Sequence, residues 1–424
     1  MALAILMVVA VALLVLEVPI SIALGLAAIA AAVLTHVTPI QVLLIQMSTT
    51  SSSFVLLAIP LFIFAGNLMA RGGIAEDLVA LAELPLRRLP GGLGMSVVVA
   101  CMFFSGVTGA KVAEVAAISS TMLPGLVRRR YDAAYATAII AAASAAGELI
   151  PPAINMIVLG QIMSVSITKL FIAGIIPAIV LAIFTLAVVA LQAPRRESAA
   201  QDVDWAAARK ALTGGLLALG MPLIIFGGIL GGVFSPTEAA AVSVLYALVV
   251  AVGVYRRLSW RQIVETACDA GVVGGALMLL IMTASAFANV LTVERIPYLL
   301  VAWLSHVSTA SWFVLLMTAA IFFIVGSVLE GLPALIIFVP VLTPLALASG
   351  IDPIHFAVVV IAAVGIGLFL PPAGIGFITA CSVGNVTITA VARRYTPFVA
   401  GLVVGLIVLV FVPWFSLVLP ALFK

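Results

Sequence analysis

Twelve long apolar runs, cut by short turn or charge signals, limit what this chain can become. They fall at 2–16, 20–34, 54–70, 94–123, 133–160, 169–192, 213–231, 237–254, 271–290, 312–345, 354–382 and 396–420. A bilayer core about 30 Å thick asks for about 20 consecutive apolar residues in each spanning helix. Soluble domains carry about 25% charged residues, whereas this chain has 65% hydrophobic and 8% charged residues. It lacks the polar surface that a water-soluble fold needs. The pattern therefore predicts an all-α polytopic membrane protein and excludes both a soluble enzyme and a disordered chain. The net charge of +3 is dispersed in short clusters, which gives nucleic-acid binding no support. Cys101, Cys268 and Cys381 are odd in number and have no metal-ligand spacing, so three buried free thiols are expected. No Lys or Arg precedes Arg71, so the first run reads as retained membrane helix and not as a signal peptide.

Two runs cannot be simple spans. Residues 94–123 carry Phe104-Ser105-Gly106-Val107-Thr108-Gly109 at their centre, and residues 312–345 carry Val325-Gly326-Ser327-Val328-Leu329-Glu330-Gly331-Leu332-Pro333. Each half is expected to be too short to span alone. A polar, glycine-rich turn cannot face lipid, because its free N–H and C=O groups would be unsatisfied. Both runs therefore read as re-entrant hairpins with tips near mid-membrane. Runs 133–160 and 354–382 break at Pro151-Pro152 and Pro371-Pro372. Proline removes a backbone donor and clashes with the preceding turn, so each becomes two half-helices around an unwound segment. Segments 39–50, 74–88 and 258–269 are short and polar-flanked and read as surface-lying helices.

Charge supports this layout. With the hairpins re-entrant, 15 of the 19 Lys and Arg fall on one side, including Arg71, Arg128, Arg129, Arg256 and Arg394. The positive-inside rule makes that side cytoplasmic and puts both termini outside. Gly106 matches Gly326, and Pro151-Pro152-Ala153 matches Pro371-Pro372-Ala373, at an offset of 220 residues. The chain thus divides into a first repeat (1–192), a cytoplasmic linker (193–212) and a second repeat (213–424) that enters the membrane from the opposite side. Inverted repeats with discontinuous helices mark secondary transporters, which bind substrate and coupling ions at the repeat interface.

The sequence resembles the large membrane subunit of TRAP transporters. The resemblance rests on Pro60-Leu61-Phe62-Ile63-Phe64-Ala65-Gly66-Asn67-Leu68-Met69 with Arg71-Gly72-Gly73-Ile74, and on Ser235-Pro236-Thr237-Glu238-Ala239-Ala240-Ala241. It rests equally on Leu149-Ile150-Pro151-Pro152-Ala153-Ile154, on the second hairpin with Pro333-Ala334, and on Pro371-Pro372-Ala373-Gly374-Ile375-Gly376. The resemblance implies a permease of the bacterial inner membrane that takes up an organic acid, driven by sodium, through an elevator movement of the hairpins and broken helices. It also implies two partners: a periplasmic substrate-binding protein and a small four-helix membrane subunit, expected here as a separate chain. It implies bound Na+ and no organic cofactor. An alternative is a stand-alone carrier that needs no binding protein. A channel or scaffold would have no use for paired hairpins.

The resemblance also implies two ion sites. Exposed carbonyls at a helix break, with hydroxyls, suit a small hard cation. The first site would use Ser105, Gly106, Thr108 and Gly109 against the break from Gly147 to Pro151. The second would use Gly326, Ser327, Glu330 and Gly331 against Gly367 to Pro371. Glu330 stands where many relatives carry Asp. An acidic group inside a membrane needs a partner, which sodium or a proton would supply. Lys111 departs from the small polar residue common in relatives. It can pair with Glu114 at i, i+3 or reach Glu148; its ammonium can stand in for one sodium; or it can bind the substrate carboxylate. Asn155 and Thr379, with Thr108, are further candidates for substrate contact, or they satisfy freed backbone groups. Ser235 with Glu238 reads as a capping box, and His36, His306 and His355 as interfacial loop residues. His-Glu-x-x-His, Gly-x-Ser-x-Gly and the phosphate-binding Gly-x-x-x-x-Gly-Lys-Ser/Thr are missing from the sequence. Neither an enzyme nor an ATP-driven pump is indicated.

Overall fold

The computed structural model describes residues 1–86, 89, 91–108, 111–192, 205–305, 308 and 310–423. Regular structure among them is entirely helical, because a helix satisfies its own backbone where no water is at hand. The first half contains α1 (Ala2–Val15), α2 (Ile20–Thr35), α3 (Ile40–Ser51), α4 (Ala58–Arg71), α5 (Ile74–Leu86), α6 (Gly92–Thr108), α7 (Lys111–Arg128), α8 (Ala133–Ala146), α9 (Ile154–Met163) and α10 (Ile167–Gln192). The second contains α11 (Trp205–Leu230), α12 (Pro236–Leu248), α13 (Trp260–Val293), α14 (Ile296–Ser305), α15 (Ser311–Val328), α16 (Gly331–Ala348), α17 (Pro353–Leu368), α18 (Ile375–Val383), α19 (Ile388–Phe411) and α20 (Trp414–Leu422). Nine helical stretches among the described residues are long and apolar enough to cross a membrane.

The two halves keep step. Helices α3 and α13 begin 220 residues apart, at Ile40 and Trp260, as do α7 and α16, at Lys111 and Gly331, and α8 and α17, at Ala133 and Pro353. The match reaches the caps. Asp132 accepts from the Ala134 N–H at 3.4 Å at the start of α8, and Asp352 accepts from the Ile354 N–H at 2.8 Å at the start of α17.

Helices α8 and α17 form the centre. Every residue from Ala134 to Ala146 and from His355 to Leu368 is buried. The alanines of α8 let neighbouring backbones come close, the usual means of packing helices in a membrane. Helix α8 gives way to a single tight turn, Gly147–Leu149, and Ile150 is extended at φ −87°, ψ 119°. A residue before proline is pushed out of the helical region, so Pro151 dictates the break. Both Pro-Pro bonds are cis.

The hairpins close onto these breaks. At the end of α6, a Cβ on Gly106 would lie 3.1 Å from the Pro151 carbonyl oxygen. At the end of α15, a Cβ on Gly326 would lie 3.1 Å from the Val364 carbonyl oxygen. Pro151 falls near the middle of Ala133–Met163, a 31-residue stretch long and apolar enough to cross a membrane, and the first tip touches that middle. The hairpin arms are longer than the sequence suggested. Helices α7, α15 and α16 have 18 residues each, about 27 Å at 1.5 Å per residue. By length α15 and α16 could each cross a membrane; the hairpin reading rests on their tips, which lie against the broken helices.

Several expectations are corrected. Residues 258–269 are not a separate surface helix but the start of the 34-residue α13. Ser259 and Gln262 open it with a capping box, and no proline or cap interrupts it before Val293. In the first half the Ser51-Ser52-Ser53 run separates α3 from α4. Helix α14 lies between expected runs, and the last run divides at Val412-Pro413 into α19 and α20. Cys268 is exposed, while Cys101 and Cys381 are buried. His355 is no loop residue: it is 2% exposed within α17, with Nδ1 3.1 Å from Ser416 Oγ. His306, Gly109 and linker residues 193–204 lie outside the described residues. The Ser235–Glu238 capping box is present as expected. Of the basic side chains assigned to one face, Arg71 pairs with Asp269 at 2.7 Å, Arg394 with Asp132 at 3.1 Å, Arg261 with Glu265 at 3.0 Å, and Arg129 with Glu83.

Candidate ion and substrate site at the helix breaks

The first tip is built around Lys111, the first residue of α7. Its Nζ donates to Glu114 Oε2 at 2.9 Å and to Ser105 Oγ at 3.0 Å. The Ser105 hydroxyl donates in turn to Glu114 Oε1 at 2.7 Å. Ser105 and Glu114 are fully buried, and the Lys111 side chain is 8% exposed. Glu114 also sits in the first turn of its helix, where the helix dipole favours negative charge. This closed triangle lies on the break: a Cβ on Gly147 would meet Ser105, with Lys111 Nζ only 3.5 Å away. Of the partners weighed for Lys111, Glu114 is the one engaged. Thr108 ends α6.

Glu148 turns the other way. Its Oε1 accepts from Asn155 Nδ2 at 2.6 Å, across the proline break. Its Oε2 is buried without a hydrogen-bond partner among the described residues. Asn155 also reaches the other repeat, since a Cβ on Gly331 would lie 3.1 Å from its Nδ2. The first break and the second hairpin thus converge within one side chain's reach.

The second tip is more open. Gly326 is buried against Val364 and Gly367. Ser327 is half-buried, and its hydroxyl donates to the Ile324 carbonyl at 2.7 Å. Glu330 is exposed and precedes Gly331 at the start of α16. Pro371 is half-buried, whereas Pro151 is buried. Thr379 uses its hydroxyl on the Ile375 carbonyl of its own helix, at 2.8 Å.

The family model described as "Tripartite ATP-independent periplasmic transporter, DctM component" matches residues 7–415. The chain belongs to this family. It is 36% identical over 383 residues to the C4-dicarboxylate TRAP transporter large permease protein of Pseudomonas aeruginosa, covering 89% of each chain. It is 34% identical to the isethionate TRAP transporter permease protein DctMQ of Oleidesulfovibrio alaskensis, covering 91% of this chain and 61% of that longer relative. The sialic acid TRAP transporter large permease of Vibrio cholerae is 31% identical, with 93% of each chain covered. The solved YdaH transporter of Alcanivorax borkumensis shares the fold at a TM-score of 0.61 and 17% identity, with 89% of this chain and 88% of that chain covered. These relatives are transporter permeases, not enzymes.

This DctM-family chain also holds a cavity of about 370 Å³ between α3, α9, α13 and α16. Its polar lining is amide and hydroxyl, with Gln46, Thr50, Gln161, Ser285, Asn289 and Thr292 and no charged side chain. Lys111, Asn155 and Thr379 do not line it. Sequence reading missed these residues because isolated Gln and Asn positions in apolar runs share no motif. The spacing that unites them exists only once the helices pack.

Proposed function

We propose that this DctM-family permease is the translocating subunit of a sodium-coupled system that takes up an organic acid by an elevator movement. The observation that carries the reading is the pair of tip-to-break contacts, Gly106 on Pro151 and Gly326 on Val364. The first sets a carbonyl at a helix break inside the protein, and the second sets the tip on the last turn of α17, just ahead of the second break; carbonyls left free at such breaks suit a small hard cation. The relatives named for C4-dicarboxylate, isethionate and sialic acid support an acid as the substrate class and leave its identity open. The uncharged polar cavity lies between α3 and α13 on one side and α9 and α16 on the other. In this reading a moving hairpin unit meets a fixed scaffold there. The partners of this reading are a periplasmic binding protein and a separate small membrane subunit, with the basic face cytoplasmic and both termini periplasmic. Each sodium entering at −100 mV supplies about 2.3 kcal/mol, so two or more give useful accumulation.

The test is uptake into proteoliposomes holding the small subunit, with a binding protein encoded nearby and an imposed sodium gradient. Wild type should need both the gradient and the binding protein, and Glu330→Gln should lose sodium-driven uptake. Uptake indifferent to sodium and to the binding protein would sink the reading and leave the stand-alone carrier.

A further inference from the structure

We infer that the Lys111 ammonium is a resident cation at the first tip, so that this tip takes up no exchangeable sodium and ion coupling rests on the rest of the machinery. The inference refines the sodium-coupled reading above and rests on it. It starts from a difference between the repeats. The 220-residue step places Ser105 opposite Val325, Lys111 opposite Gly331, Glu114 opposite Ala334 and Gly147 opposite Gly367. Both tips press a glycine onto a backbone carbonyl of a broken helix, Pro151 in the first and Val364 in the second. Only the first carries an ammonium, a buried carboxylate and a buried hydroxyl in mutual hydrogen-bond contact, at 2.7–3.0 Å.

The chemistry of that triangle is the chemistry of an occupied cation site. A carboxylate and a hydroxyl oxygen would serve as hard ligands for a small cation. Here both are turned on Nζ, beside the break at Gly147. The residue is 8% exposed at its side chain and Glu114 is 0% exposed, so the two charges neutralise each other out of water. A buried carboxylate whose partner is removed is strongly destabilised. A sodium ion sharing this cavity with the ammonium would face like-charge repulsion at contact distance. The donor set therefore does not fit sodium while Lys111 is present, and fits it once the ammonium is gone. Gly331 supplies the natural replacement, because the second repeat builds its hairpin with no side chain at that position.

The test replaces the ammonium with the second repeat's own residue. Lys111→Gly and Lys111→Ser are purified and read in two ways: thermal unfolding against sodium, potassium and choline, and the sodium-to-substrate ratio in proteoliposomes. Each variant should gain a sodium-specific rise in melting temperature of several degrees beyond that of wild type, since a ligand that binds only the folded state stabilises it. The coupling ratio should rise by one sodium per substrate. Glu114→Gln on the Lys111→Gly background removes the new ligand and should abolish both gains. A Lys111→Gly protein with wild-type sodium dependence in both readouts overturns the inference. So does failure of both variants to be recovered from sodium-rich medium, because sodium should take the ammonium's place. Wild type indifferent to sodium would instead sink the parent reading. Lys111→Gly would then still decide this one, by gaining a sodium response or by staying indifferent.

Discussion

Glu148 and Gly365 touch where the two broken helices cross. A Cβ on Gly365 would lie 2.6 Å from Glu148 Cβ and 2.8 Å from its Cγ. The first helix break is thus keyed into α17 through a residue that must have no side chain. Gly365→Ala should destabilise by overpacking, about 1–3 kcal/mol, seen as a lower melting temperature of the purified protein. Glu148→Gly on the same background removes both obstructing atoms, so the double variant should cost less than the two single changes added together. Strict additivity would show that the added methyl group and the Glu148 side chain do not meet.

Asn155 is the one hydrogen-bond partner of Glu148 among the described residues. Asn155→Ala should leave both oxygens of a buried carboxyl group unsatisfied, at a cost of about 1–3 kcal/mol. Thermal unfolding measures it. Because Asn155 also abuts Gly331, uptake should fall further than the lost stability accounts for, whereas equal stability in wild type and variant would mean the pair is not formed.

The paired caps should behave alike. Asp132→Ala and Asp352→Ala each remove an N-cap acceptor, about 0.5–2 kcal/mol, while Asp352→Asn keeps an acceptor and should lose much less. Asp132 also accepts from Arg394, an exposed pair worth about 0–1 kcal/mol. Arg394→Ala should therefore be milder than either alanine cap variant in a melting series.

Tyr255, just past the segment Pro236–Val254, donates to Asp77 of α5. Burial first, then the hydrogen bond and charge of Asp77, hold the phenol above its usual titration range. A folded-state value above the unfolded one gives stability that is full below about pH 10 and lost as pH climbs above it. Tyr255→Phe should cost about 0.5–1.5 kcal/mol at neutral pH and flatten that alkaline loss. Melting curves from pH 8 to pH 11 that run parallel for both proteins would exclude the linkage.

Much of this was legible in the sequence, for physical reasons. Lipid offers no hydrogen bonds, so long apolar runs must be helices and Pro151-Pro152 and Pro371-Pro372 must interrupt them. The Lys111–Glu114 pair could be read because both lie one helical turn apart, as could the Ser235–Glu238 cap. The division of α13 was misjudged because a polar stretch such as Glu265 to Asp269 resembles a helix end in hydropathy, although a helix carries exposed charge without breaking. His355 was misplaced because its burial depends on α20, 61 residues away. Only the tertiary structure decided that Ser105 would close the triangle with Lys111, that Glu148 would turn to Asn155, and that Asn155 would reach Gly331. Those choices join residues from different helices, where what counts is which backbones can approach, and glycines such as Gly147 and Gly365 reveal that role only after the helices have packed.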